Sequence, residues 1–305
     1  MEGVMMQANE KYAIAVRRAN NEIDVSIHDC NRAAWLKKIR KIPFLRGVFN
    51  FVDSLVIGMK TLTYSANILL QDEEEKEEKA EEEKKKDSDH GLLLAGTVIV
   101  SLIFSIGLFI VLPWLASEGL RKFFNAGETL IVLIEGIIRI CIFLLYLLLI
   151  SRMEDIQRVF KYHGAEHKCI NCIESGLPLT VDNVRKSSRL HKRCGTSFLF
   201  FVMIVSLILF ILIRISNPFA RLGFRLLMLP VIAGISYEII RLAGRSDNKC
   251  VLAMSKPGMM LQKVTTAEPD DSMIEVGIAS VEGVFDWKQY LQDNGIELPE
   301  DEAEE

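Results

Sequence analysis

The sequence predicts an α-helical integral membrane protein: about four transmembrane helices, with cytosolic α+β elements from the N- and C-terminal segments. Three observations carry this. Half of the 305 residues are apolar, and they gather in long blocks separated by charged stretches. Residues 91–117 carry no charge at all, a run long enough to span a bilayer. The basic residues near these blocks concentrate in one connection, 151–195.

Taken in order, residues 1–71 form a cytosolic unit. "YAIAVRRANNEIDVSI" (12–27) reads as a β-hairpin, two β-branched runs about an Asn20–Asn21 turn. From Pro43 onward, Phe44, Val48, Phe51, Leu55 and Met59 recur at helical spacing. This helix either lies on the membrane surface or packs on the soluble part. Residues 72–90 are a linker, whose run 72–89 holds eleven acids and five bases and is expected to be disordered or a solvated helix.

Residues 91–244 are the membrane domain. Its spans are 91–117, 129–150, 195–213 and roughly 222–243; the last is weaker, with Pro230 and Gly234 inside it. Residues 245–305 return to the cytosol: 250–266 as extended chain with a turn at Pro257–Gly258, 269–285 as a helix, and 297–305 as an acidic, disordered tail. Thr265 and Glu268 have capping-box spacing for that helix, with Pro269 close to its first turn.

The connection 151–195 holds nine Arg and Lys, against four in 113–128 and 214–221 together. The bias places both termini and 151–195 in the cytosol of a multi-pass cell-membrane protein. No cleavable signal peptide is expected, because the N-terminal residues are polar. The expected partners are membrane lipid and a membrane-protein or peptide substrate, with no nucleic acid. A reducing cytosol favours thiols or metal ligands over disulfides for the six cysteines.

The chemistry concentrates in "KYHGAEHKCINCIESG" (161–176). Span two is expected to run on as one helix through Met153, Ile156, Phe160, His163 and His167. His163 and His167 then lie one turn apart on one face, where two imidazoles grip one ion. Glu166 adjoins that face. His-x-x-Glu-His is the inverted zinc-protease pattern, in which the glutamate is the base that takes a proton from metal-bound water. Zinc needs a third protein ligand. Ser175–Gly176 suggests the helix ends there, and Glu174 lies about 10 Å beyond His167 along a straight helix. His191 is the better third ligand, on a second helix with Thr180 as its N-cap. Glu174 or Cys194 would be an added ligand or supporting partner.

A rival reading uses Cys169-x-x-Cys172 with His191-x-x-Cys194 as a structural zinc clip. On a continuous helix Cys169 and Cys172 face away from His163 and His167, so one ion cannot use all seven groups.

The run 161–200 resembles the YqhQ-like family, bacterial membrane proteins of unknown function described as predicted metal-dependent enzymes. "MEGVMM", "IPFLRGVFNFVDSLVIGMKTL" and "LQKVTTAEPDDSMIEVGIASV" resemble its other blocks. The resemblance implies a multi-span membrane protein. It carries over Tyr162, His163, Gly164, Glu166, His167, Glu174, His191, Cys194, Gly195, Thr196 and Ser197. It does not carry Cys169 and Cys172, and this chain begins inside a block where the family has a longer first strand.

Within the spans, Glu135 and Arg139 stand at i,i+4, and Glu238 and Arg241 at i,i+3. An intramembrane charge costs roughly 2.5–3.5 kcal/mol on insertion scales, so pairing is expected. Glu135–Arg139 would fix helix register; Glu238 and Arg241, near the metal loop, would orient a ligand or a polar head group. The functional expectation is a hydrolase using a divalent metal, zinc by ligand chemistry, at the cytosolic membrane face. The alternative is a non-enzymatic scaffold or assembly factor with a structural zinc.

Overall fold

A computed structural model gives the architecture and describes residues 2–8, 10–30, 41–77, 90–124, 127–213, 215, 217–244 and 248–296. The chain begins as an antiparallel meander, β1 (Gly3–Ala8), β2 (Lys11–Arg17) and β3 (Ile23–Asp29), in that order. Val4 pairs with Ala15, and Ile14 with Ser26. The expected hairpin is β2–β3. Its turn turns on Asn21, whose φ of 70° is a left-handed conformation that asparagine tolerates. The central strand β2 is buried from Tyr12 to Val16, with period-two alternation separating two cores. Ala15 faces one cluster and Tyr12, Ile14 and Val16 face another.

The predicted amphipathic helix is α1 (Leu45–Glu77), preceded by Phe44 at φ 66°. It takes in the start of the charged run; residues 78–89, and the tail 297–305, lie outside the described residues. Ile57 and Ile68 of α1 pack under the sheet, while Phe51, Val52, Leu55, Val56, Met59 and Leu62 remain exposed.

Four helical segments are long and apolar enough to cross a membrane: 96–122, 129–150, 195–212 and 219–243. The first comprises α2 (His90–Ile106), a π-helical turn (Gly107–Val111) and α3 (Leu112–Phe124). It runs past the expected end at 117. The π turn has a local cause. Pro113 has no amide to give to the carbonyl of Phe109, and Arg139 Nε donates to that oxygen instead, at 3.0 Å. The other three are α4 (Glu128–Ile150), α7 (Gly195–Leu212) and α8 (Pro218–Ala243). Asn217 caps α8, its Oδ1 accepting from the amides of Phe219 and Ala220, with Pro218 at the first position.

Three expectations fail here. Span two does not continue as one helix: α4 ends at Ile150, the chain turns through Ser151–Met153, and α5 (Glu154–Glu174) starts anew. Met153 is extended at ψ 132°, and Glu154 and Asp155 in the first turn suit a fresh N-terminus. The stretch 250–266 is not extended: residues 250–265 lie within α9 (Lys249–Thr265), with Pro257 inside it. A proline costs a helix one amide locally. Here packing on α7 prevails, with Gly258 against Ser197 and both Leu261 and Gln262 buried. The next helix, α10 (Asp271–Glu282), is capped by Asp270, not Thr265; Thr265 closes α9. A short α11 (Trp287–Asp293) follows.

The sheet, α5 and α10 share one core, built from Val4, Met6, Tyr162, Ala165, Met273, Ile274 and Val276 among others. N-terminal, 151–195 and C-terminal segments therefore form one layer at one end of the apolar helices.

Candidate metal centre

The centre is built on α5. Gly176, at φ 74°, ends the helix, its amide donating to Ile173 and that of Leu177 to Cys172. One face of α5, through Tyr162, Ala165, Cys169, Cys172 and Ile173, is sealed in the core. Gly164 lets the Ala267 carbonyl approach where any Cβ would collide, and the Ala267 amide donates to Phe160 at 2.9 Å. The opposite face presents His163, Glu166 and His167.

Each histidine is oriented by a backbone carbonyl. His163 Nδ1 lies 2.9 Å from the Thr265 oxygen, and His167 Nδ1 lies 2.7 Å from that of Arg189. A carbonyl only accepts, so both Nδ1 atoms carry the proton, and in the neutral rings each Nε2 holds a free lone pair. His163 Nε2 is 3.1 Å from Cys194 Sγ, and the two ring centroids are 4.4 Å apart. Donor atoms of His163, His167 and Cys194 all lie within 4.8 Å of one another. Among the described residues no other such group of three occurs.

Cys194 is the N-cap of α7, its sulfur 3.5 Å from the Thr196 amide. Burial alone would push this thiol up, but hydrogen bonds and charge from His163 and His167 bring it down to about 5. Burial alone would lower His163, yet Cys194, Glu166 and the Thr265 carbonyl raise it to about 9. Each partner thus shifts the other toward its charged form, imidazolium for His163 and thiolate for Cys194. Burial raises Glu166, against the pull of His163 and His167. Glu166 shares with His163, His167 and Cys194 a cavity of about 310 Å³.

The third donor atom of the cluster belongs to Cys194, expected as an added ligand or supporting partner, while His191, expected as the third ligand, lies beside the cluster. The helix expected over 180–194 stops early: α6 is only Val181–Lys186, capped by Thr180 as expected. From Ser187 the chain is irregular. His191 Nε2 instead lies 3.4 Å from Glu174 Oε2, its ring 5.8 Å from that of His167, and Glu174 also pairs with Arg193. Glu174 thus supports His191 beside the cluster. Cys169 and Cys172 are fully buried in the apolar core and are not brought together with His191 and Cys194 as a clip requires.

Sequence reasoning missed the clamp that shapes 187–194. Lys168 Nζ donates to the carbonyls of Arg185 and Ser187, both at 2.9 Å, and pairs with Glu268. Asn171 donates to Ser188 and Leu190. Buried Gln262 holds His191 from both sides, accepting from its amide and donating to its carbonyl at 2.8 Å each. The available signal was polar residues falling at helical spacing on a helix that also carries core positions.

The charges within the apolar helices are only partly as expected. Glu135 pairs with Arg139 at 3.0 Å, but also with Arg225 and, through Ser117, with α3. Glu238 is held by Arg46 and the Phe44 amide, not by Arg241, and so fastens α1 to α8. Asn50 and Tyr237 join the same contact at 2.6 Å.

Fold and site define a class: an apolar four-helix protein whose end layer of sheet and helices holds a His–His–Cys cluster. The chain belongs to the family described as "Protein of unknown function (DUF1385)", which it matches over residues 42–287. It is 37% identical to the Uncharacterized protein YqhQ of Bacillus subtilis (strain 168) over 282 residues, 92% of this chain and 88% of that protein. The YqhQ-like resemblance read from the sequence is thus a family relationship. No solved structure matches the chain.

Proposed function

We propose that the protein is an integral component of the cell membrane, with both termini cytosolic, and a metal-dependent hydrolase acting at the cytosolic face. The observation that carries this is the paired Nδ1-to-carbonyl anchoring, which brings the Nε2 atoms of His163 and His167 together with the low-pKa thiol of Cys194 as one donor group. The donor set fits the group: two neutral imidazoles and a thiolate suit zinc, and three protein ligands leave a fourth position open. A divalent ion bound there would polarise a carbonyl or phosphoryl oxygen and acidify water. Glu166, facing the same cavity, takes the proton from attacking water and returns it to the leaving group; a raised carboxyl suits both roles. His191, braced by Glu174, borders the cavity as a hydrogen-bonding group.

A groove of about 330 Å³ between the sheet, α1 and α5 reaches His163 and Glu166 past Ile14, Val16 and Leu62. Its apolar lining supports a membrane-proximal peptide or a lipid head group as substrate.

The test is metal content and hydrolysis by the full chain in detergent, with phospholipid vesicles and a membrane-anchored peptide as probes. Wild type and Glu166→Gln are expected to hold zinc, and His163→Ala and Cys194→Ser to lose it; Glu166→Gln is expected to hydrolyse neither probe. Zinc retained in full by Cys194→Ser, or activity retained by Glu166→Gln, overturns the assignment.

A further inference from the structure

β1 is an outer strand of the sheet. The Arg17 amide donates to the Glu2 carbonyl at 2.8 Å, so by the alternation of an antiparallel ladder Val4–Ala15, Met6–Ala13 and Ala8–Lys11 are its hydrogen-bonded pairs. The amides and carbonyls of Gly3, Met5 and Gln7 point the other way, off the edge. Among the described residues they meet no hydrogen-bond partner. An open edge is a template for another strand, and sheets usually blunt it with charge, proline or a bulge. β3, the opposite edge, carries Asp24 and Asp29. β1 reads GVMMQA, with neither charge nor proline, and pairs with β2 in unbroken register.

The space beside this edge belongs to the metal centre. The groove of about 330 Å³ takes in Gly3 and Met5, and a second, of about 440 Å³, takes in Met6, Gln7 and Ala8. Both are walled by α5. Val159, His163 and Glu166 line the first and Ile170 and Ile173 the second, at steps of four and three that make one stripe along the helix. That stripe is about 21 Å long at 1.5 Å per residue, and β1 is about 17 Å long at 3.4 Å per residue. The cavity of the His–His–Cys cluster lies between the grooves. It shares His163 and Glu166 with the first, and Ile170 and Arg193 with the second.

We propose that an extended peptide binds here as an added strand on β1, its backbone bonding to Gly3, Met5 and Gln7 and its middle crossing the His–His–Cys cluster. The hydrogen-bond pattern selects the occupant. An extended peptide presents N–H and C=O groups in alternation at the strand repeat, and a phospholipid has no such ladder. Backbone bonds supply affinity, and the apolar walls, Ile14 and Leu62 in one groove and Phe285 in the other, take apolar side chains. That the peptide is then cut rests on the hydrolase reading; that it binds does not.

The test uses the full chain in detergent with a chelator present, so that binding is read without cleavage. The probe is an eight-residue peptide of alternating leucine and serine, carrying a fluorophore and followed by anisotropy. Two further probes are the same peptide N-methylated at every second residue, one in each register. The unmodified peptide is expected to bind, and the form methylated on the side facing β1 to bind at least about tenfold more weakly. Hydrogen exchange is expected to slow at Met5 and Gln7 and to stay unchanged in β3. Gln7→Pro removes one outward amide at an edge position where proline is tolerated. It is expected to weaken the peptide about tenfold at an unchanged melting temperature, while Gln7→Ala, which keeps the amide, binds as wild type. No binding of the unmodified peptide, equal binding of both methylated forms with it, or protection of β3 in place of β1 overturns the proposal. The methylated probes decide the matter even where Gln7→Pro fails to fold. Peptide binding without hydrolysis once zinc is restored supports the added strand and counts against the hydrolase reading alone; hydrolysis of vesicles without peptide binding does the reverse.

Discussion

His163 Nε2 and Cys194 Sγ, thirty-one positions apart in the chain, stand 3.1 Å from each other. One comes from the middle of a polar helix and the other from the N-cap of an apolar helix. Both are fixed from behind, the ring by the Thr265 carbonyl and the sulfur by the start of α7.

This pairing predicts a selective thiol. In metal-stripped protein at about pH 6, an alkylating reagent is expected to label Cys194, because its thiol is lowered to about 5. Cys169, whose thiol burial pushes up, and fully buried Cys172 are expected to stay unlabelled until the protein unfolds. Zinc added beforehand is expected to protect Cys194. Peptide mass mapping reads all three sites, and labelling of Cys169 ahead of Cys194 contradicts the prediction.

Gln262→Leu tests the clamp. It leaves the amide and carbonyl of His191 buried without partners, which is expected to cost at least about 2 kcal/mol. Zinc stoichiometry is expected to be unchanged while affinity falls about tenfold, as for other groups that orient a ligand indirectly. Chemical denaturation and zinc titration separate the two effects.

Gly164→Ala is expected to destabilise by about 1–3 kcal/mol, because the new methyl meets the Ala267 carbonyl, a backbone atom that cannot rotate away. Gly195→Ala is the control: the space beside Gly195 is open, and its melting temperature is expected to match wild type. Equal melting temperatures for both variants would count against this packing of α5 on the 266–269 segment.

Asp270 gives the stability a defined acid dependence. Burial would raise this carboxyl, but the Ser272 hydroxyl, the Met273 amide, Lys161 and Arg158 hold it below its ordinary 3.8. A carboxyl depressed in the folded state stabilises above its unfolded pKa, and that contribution is lost as pH falls through the folded value. Asp270→Ala is therefore expected to cost about 1 kcal/mol at neutral pH, with the gap from wild type closing in acid. Thermal melts across pH check the sign.

Local periodicity made much of this legible beforehand. The hairpin, the four apolar segments, the His163–His167 face and the end of α5 at Gly176 all follow from repeats of two or 3.6 residues and from one glycine. What depended on distant partners did not. His191 looked like the third ligand only if a helix ran from 180 to 194; Lys168, Asn171 and Gln262 hold 187–194 irregular instead, and Cys194 joins the two histidines in the cluster. Pro257–Gly258 reads locally as a turn, yet packing on α7 keeps it helical. Glu238 meets Arg46 across 192 positions of chain, a separation no spacing rule reaches.

The turn at Ser151–Met153 changes how the centre is coupled to the bundle. Because α4 and α5 are separate helices, a tilt of α4 is not carried rigidly into the helix that bears the histidines. Cys194 has no such joint, since it leads straight into α7. Axial slippage of α7 by a single residue, about 1.5 Å, moves the sulfur by half its present distance from His163. The cluster is thus a strain gauge on one strut: the spacing of its donor atoms follows the position of α7 directly, and that of α4 only through the packing of α4 on α7.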